Sequence, residues 1–133
     1  MRKRRILDSS ALIKFLACEE GADIVKKELE KAQEEKQNIF LSVINLGEVY
    51  YIIKKKFDKD KADQTIDLLS NLPISLLSVS KETALKAALL KSDYDIPFID
   101  AICAATAIIE NAIIITSDFD FKKVKSQVES IWV

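Results

Sequence analysis

Histidine is absent from this chain, and that absence removes more chemistry than any other feature of its composition. Without an imidazole there is no His-based acid–base pair and no Ser-His-Asp triad. A zinc site of His and Cys is excluded too, because the two cysteines, Cys18 and Cys103, lie far apart with no CxxC neighbour. The same spacing argues against a disulfide framework and fits a reducing, cytoplasmic setting. Both cysteines have apolar neighbours and are expected to pack in a core. Only two Gly and two Pro occur. That leaves no Gly-rich phosphate loop, which weakens an NTPase or dinucleotide reading. It also favours long helices over a loop-rich or all-β chain. The longest apolar stretch, Phe98 to Ile115, is interrupted by Asp100 and Glu110, so no membrane span is expected. Only Ile6 and Leu7 separate Arg5 from Asp8, too few for the apolar part of a signal peptide.

An excess of one charge is also missing: 20 basic residues face 21 acidic ones, a net charge of -1. A nucleic-acid contact therefore needs a local patch. Arg2-Lys3-Arg4-Arg5 and Lys54-Lys55-Lys56 are the candidates, although each reads more simply as a charged strand start and a solvated helix end.

What is present is enough for one domain, residues 1–133, with 49% hydrophobic residues to build a core. Ile6-Leu7 reads as a first strand. Ser9 or Ser10 can cap the helix that follows, whose face is Leu12, Phe15 and Leu16 and whose end is expected near Glu19-Glu20-Gly21. A second helix starts near Ala22, with Val25, Leu29 and Ala32 on one stripe. Ile39-Phe40-Leu41 is a second strand. Helices are expected from Val43 to Phe57 and from Lys59 to Asn71, where Pro73 intervenes. Ile74 to Val79 is a third strand, and Ser80 opens another helix. Pro97 suits the first turn of a nearly all-apolar helix that runs to about Asn111. Ala112 to Thr116 reads as a buried parallel strand. Phe121 to Lys125 is expected to form a short helix and Ser130 to Val133 a last strand. Strands alternating with helices predict an α/β fold, with a central parallel sheet of four to five strands and helices on both faces.

Four acids occupy comparable places in that pattern. Asp8 follows the first strand and Asp118 follows the strand at Ala112 to Thr116. Glu48 lies in the early turns of one helix and Asp100 in the early turns of another. Taken alone, Asp8 is as well explained as a helix N-cap and Asp118 as a turn residue. Glu48 and Asp100 interrupt apolar helices, and a carboxylate buried without a partner is costly. Gly47 beside Glu48 suggests a close approach of backbone or ligand. In a parallel sheet all four positions share one edge, where ligands bind. Four carboxylates there repel each other unless a cation neutralises them, and oxygen-only donors suit Mg²⁺ or Mn²⁺.

Leu7-Asp8-Ser9-Ser10-Ala11-Leu12-Ile13, Asn45-Leu46-Gly47-Glu48-Val49, Ile96-Pro97-Phe98-Ile99-Asp100-Ala101-Ile102-Cys103-Ala104-Ala105-Thr106-Ala107, and Thr116-Ser117-Asp118-Phe119-Asp120-Phe121 resemble the four acidic motifs of PIN domains, in particular those of VapC-type toxin ribonucleases. The resemblance covers the whole chain in motif order. It implies an endoribonuclease dependent on Mg²⁺ or Mn²⁺, which hydrolyses RNA phosphodiester bonds and leaves a 5′-phosphate. It further implies a homodimer and a small cognate antitoxin that blocks the site. Carried over by position, Asp8, Glu48, Asp100 and Asp118 match the metal-binding, catalytic acids, with Asp8 and Asp100 the most central. Thr116 matches a hydroxyl that supports the site's water or orients an acid. Asp120 matches an acidic position of the last motif, although holding the turn before Phe121 explains it as well. Ser9, with Ser10, starts the helix behind Asp8. Lys14, one to two turns after Asp8, is placed to reach a substrate phosphate or to be an ordinary solvated lysine. A non-catalytic PIN-like module that binds RNA or protein is the alternative from another class. A phosphatase with an Asp nucleophile fits less well, because the second Asp expected two residues on is Ser10 here.

Overall fold

The computed structural model describes residues 2–133. Five strands form one fully parallel sheet: β1 (Arg4–Leu7), β2 (Ile39–Ser42), β3 (Ile74–Leu77), β4 (Ala112–Thr116) and β5 (Ser130–Trp132). The strand order is β3-β2-β1-β4-β5. Pairs of helices connect the first four strands: α1 (Ser9–Leu16) with α2 (Ala22–Glu35), α3 (Val43–Lys56) with α4 (Lys59–Leu69), and α5 (Lys81–Asp93) with α6 (Phe98–Ile109). A short 3-10 helix, Phe119–Val124, precedes β5. The expected α/β architecture is therefore present, with five strands.

The sheet has two cores. Ile6 and Ile114 pack on one face with Ala87 and Leu90 of α5, Ala101 to Ala105 of α6, and Phe121 and Val124. Leu7, Leu41 and Ile115 pack on the other with residues of α1 to α4, among them Leu12, Val25, Val49 and Ala62. Adjacent residues on one strand serve opposite cores, as the two-residue period of a strand requires. β4 is buried at all five positions, which explains its unbroken apolar run.

The chain steps outward from β1 to β2 and β3, then returns to place β4 on the other side of β1. The carboxyl ends of β1 and β4 thus flank the point where the strand order reverses, which is where open α/β sheets bind ligands. Register is tight there, with Leu7 paired to Ile115 and the Asp8 N–H donating to the Ile115 carbonyl at 3.2 Å.

Several local expectations need correction. α1 stops at Leu16, earlier than Glu19, and its cap is Asp8 rather than Ser9 or Ser10. Asp8 is still extended (φ -92°, ψ 174°) and its carboxylate accepts from Ala11 N–H, so both serines are already helical. Cys103 is buried but Cys18 is exposed. It sits just beyond α1 in the left-handed region (φ 54°), which turns it out of the core. Pro97 is the residue before α6 rather than inside its first turn. α4 ends at Leu69 and β3 at Leu77, each two residues short of the expected end. Among the described residues, nothing beyond its own helix turn lies within 4 Å of a Cβ placed on Gly47, so no other element's backbone needs that glycine. The basic lead-in is committed to structure: Arg2 and Arg5 pair with Glu28, Arg2 also with Glu35, and Arg4 lies over the Phe40 ring. It also lies roughly 10–20 Å along the chain from the edge that holds Asp8, at about 3.3 Å per residue.

Candidate functional site

Asp8, Glu48, Asp100 and Asp118 line one cleft of about 470 Å³ at the carboxyl edge of the sheet. β1 delivers Asp8 and β4 delivers Asp118, while Asp100 lies in the first turn of α6 and Glu48 in the second turn of α3. These are the four acids singled out in the sequence, and the fold brings them to one cleft.

Asp8 is 3% exposed and both its carboxylate oxygens are engaged. One accepts from Ala11 N–H at 2.9 Å and the other from the Thr116 hydroxyl at 2.5 Å, while the single Ser10 hydroxyl proton is shared between them, at 2.7 and 2.9 Å. Burial still pushes its pKa upward. The bonds from Thr116, Ala11 and Ser10 oppose that shift, and the Asp118 charge adds to it. The net direction shows that desolvation outweighs the donors.

Asp100 is held differently. It is 7% exposed, and its Oδ2 has no hydrogen-bond partner among the described residues. Its pKa rises from 3.8 to about 7, first through burial and then through the charges of Asp118, Asp8, Asp120 and Glu48. Asp100, Asp118 and Asp120 each bring a carboxylate oxygen within 4.8 Å of the others. Asp118 organises this group. Its carboxylate accepts from Asp120 N–H at 2.9 Å, which opens the 3-10 helix, and its own N–H donates to Thr116 Oγ1 at 2.9 Å. Asp120 also pairs with Lys123 at 3.1 Å. An orphaned buried oxygen, several like charges and an all-oxygen donor set are the conditions that a hard divalent cation satisfies.

The remaining residues act around these acids. Thr116 is fully buried, and its hydroxyl links Asp8 to the Asp118 backbone. Ser9 makes no side-chain hydrogen bond to a site acid among the described residues. Its hydroxyl accepts from Asn45 Nδ2 at 2.8 Å and ties α1 to α3 one turn before Glu48. Lys14 lines the cleft and donates to the Val133 backbone oxygen at 3.3 Å.

Two residues carry more than the sequence disclosed. Ser10 donates to Asp8 and accepts from Ser117 N–H at 3.0 Å, so one hydroxyl clamps the ends of β1 and β4 together. Asn45 is buried and holds Ser9. Its only signal was its place three residues before Glu48 on the same helix face.

Comparison with known proteins places these features in a family. The PIN domain family model matches residues 5–127. No curated protein sequence matches the chain. Among solved structures, the fold is similar to a chain of VapBC2 from Rickettsia felis bound to a DNA fragment from their promoter. That match has a TM-score of 0.77 and 20% identity, covering 96% of each chain. DNA-bound VapBC from Salmonella typhimurium matches with a TM-score of 0.75 at 12% identity over 98% of each chain. Mycobacterium tuberculosis VapC20, described as a sarcin-ricin loop cleaving toxin, matches with a TM-score of 0.68 and 15% identity, covering 90% of this chain and 94% of that one. With the family model spanning all four acid-bearing segments, the chain belongs to the PIN domain family.

Proposed function

We propose that residues 1–133 act as one PIN domain, a cytoplasmic endoribonuclease that hydrolyses RNA phosphodiester bonds with Mg²⁺ or Mn²⁺. We further propose that it is the toxin of a toxin–antitoxin pair. The observation that carries the reading is Asp100, a buried carboxylate with one oxygen orphaned and four other acids raising its pKa. Asp8, Glu48, Asp100 and Asp118 would hold the cation, with Asp120 beside them. A divalent ion bound there would neutralise the acids, make a water more acidic and stabilise charge building on the phosphate.

The chain's own groups prepare that place. Thr116 and Ser10 fix both oxygens of Asp8, so the carboxylate cannot rotate away from the cleft. Asp118 fixes Asp120 through the Asp120 N–H and thereby sets where the third carboxylate of the cluster stands. Lys14 lines the same cleft and is the cation there that can contact a phosphate oxygen.

The partner reading draws support from a second groove. It has a volume of about 320 Å³, lies between α1, α3 and α4, and shares Ile13 and Ile52 with the acidic cleft. Apolar Leu16, Phe57 and Leu68 line it beside Lys56 and Lys61, a fit for an amphipathic antitoxin segment with acidic residues. Solved relatives include a toxin–antitoxin complex from Klebsiella pneumoniae, at 22% identity. For a homodimer, the support is exposed Leu85 and Leu89, which share a face of α5.

The test is cleavage of end-labelled structured RNAs with Mg²⁺, Mn²⁺ or EDTA, by wild type and Asp8→Asn. Cleavage is expected only for wild type with metal. Activity that survives both EDTA and the substitution refutes the proposal. Absence of divalent-ion binding to the cleft identifies a non-catalytic module instead.

A further inference from the structure

A polyanion must approach a cleft lined by acids, so something beside the cleft has to attract and position it. The N-terminal arginines do not serve, because they are paired or committed at the opposite edge of the sheet. The edge that holds the acids carries a different feature. Phe119 stands between Asp118 and Asp120 in the chain and is 72% exposed. Trp132, 38% exposed, is the register partner of Thr116 on the neighbouring strand. The two rings lie 6.1 Å apart between centroids and are tilted by 42°, so neither covers the other. The Lys122 ammonium sits over both, 4.3 Å from the Phe119 centroid and 5.4 Å from that of Trp132. Lys125 lines the same surface depression as Trp132 and Lys122.

Nothing in the core requires these rings. Phe121, two residues on from Phe119, fills that role and is buried. A large aromatic left in water costs hydrophobic free energy without structural return. Two of them, with a lysine ammonium over both, form the usual means by which proteins hold unpaired nucleotides: π-faces for bases and cations for phosphates. A protein-binding patch has less use for a lysine at its centre, since interface cores are depleted in charge and lysine in particular is rare there.

We propose that Phe119 and Trp132, with Lys122, form a stacking platform that holds an unpaired base of single-stranded RNA beside the acidic cleft. The inference rests on the ribonuclease reading for its substrate class. It adds that the nucleotide next to the cleaved bond must be unpaired. Duplex RNA, whose bases are already stacked, is excluded from the platform.

Trp132 is the only tryptophan of the chain, so it reports directly on its own surface. The probe is a mixed-sequence single-stranded RNA of about 12 nucleotides, titrated in Ca²⁺ to neutralise the carboxylates. The readouts are Trp132 fluorescence and the anisotropy of a labelled copy. Quenching is expected with the single strand and not with its annealed duplex. Phe119→Ala should weaken binding by roughly 5- to 100-fold, the range for losing one stacked base, while Phe119→Tyr and Trp132→Phe stay within about threefold of wild type. Phe119 is exposed, so its replacement leaves the thermal melt unchanged.

Equal affinity of Phe119→Ala and wild type overturns the platform, as does absence of quenching. Loss of self-association in Phe119→Ala by sedimentation, with RNA affinity unchanged, would show that a second copy of the chain covers the patch. Cleavage in Mn²⁺ is scored separately. Quenching without cleavage leaves the platform standing and removes the ribonuclease reading; cleavage unaffected by Phe119→Ala does the reverse.

Discussion

Replacing Asp100 with Asn should stabilise the metal-free protein, although the residue is buried and lies in the centre of the acidic cluster. Its carboxyl pKa rises from 3.8 to about 7 on folding, through burial and then the charges of Asp118, Asp8, Asp120 and Glu48. Between those two values the folded protein keeps a proton that the unfolded chain has lost. Stability contributed by that proton is complete below about pH 4 and is lost as the pH rises to about 7. Each pKa unit corresponds to about 1.36 kcal/mol, so the loss has an upper bound of about 4 kcal/mol. Water in an open cleft screens the repulsion, and roughly half of that is a realistic expectation.

In EDTA, wild type should therefore lose about 1 kcal/mol or more between pH 5 and pH 8, and Asp100→Asn should lose clearly less, keeping only the part that the raised Asp8 carboxyl contributes. At pH 8 the variant should exceed wild type by about 2 kcal/mol, roughly 6–8 °C in melting temperature for a domain of this size. With no histidine in the chain, few other groups titrate across that window. Urea unfolding at the two pH values measures the difference. Excess Mg²⁺ should stabilise wild type by mass action and remove the variant's advantage. Wild-type stability that is flat or rises between pH 5 and pH 8 in EDTA refutes the picture of crowded, uncompensated carboxylates.

Two further outcomes follow from the same geometry. Ser10→Ala removes a donor from both oxygens of Asp8 and the acceptor of Ser117 N–H. It should cost about 1–3 kcal/mol in urea unfolding and move the acid limb of any pH–rate profile upward, whereas Ser10→Thr keeps the hydroxyl and most of the stability. The two glycines should respond in opposite directions to Ala. Gly47→Ala adds a methyl in open space to a helix interior and should stabilise by about 0.5–1 kcal/mol. Gly21→Ala forces a left-handed residue (φ 98°) to place Cβ 2.7 Å from the Val133 carbonyl carbon, and should lower the melting temperature.

The parts of this molecule that the sequence disclosed are those set by period and chain order. The run Ala112 to Thr116, β-branched from Ile113 onward, is β4, residue for residue. The convergence of Asp8, Glu48 and Asp118 needed only alternation of strand and helix, since a parallel sheet puts every strand exit on one edge; Asp100, in the second helix of the α5–α6 pair, follows no strand and arrives there through the packing of that pair. What stayed hidden is what depends on register. Asp8, Ser9 and Ser10 are three competent caps in a row, and local chemistry ranks them about equally. The choice is made by β4. Pairing of Leu7 with Ile115 and the bond from Asp8 N–H to the Ile115 carbonyl keep Asp8 extended, so helix geometry starts at Ser9.

That shift by one residue reaches into function. Asp8 as cap has its carboxylate aimed at the mouth of its own helix and held by Thr116 from β4, while Ser10 becomes free to clamp the two strand ends together. Asp8 is thus a structural cap and a candidate ligand at once, its carboxylate positioned by three donors with acceptor capacity to spare, while Asp100 keeps an orphaned oxygen. The two acids that the motifs treat alike are prepared in opposite ways, one held by three donors and one deprived of them. The deprived one is where a cation would bring the larger gain.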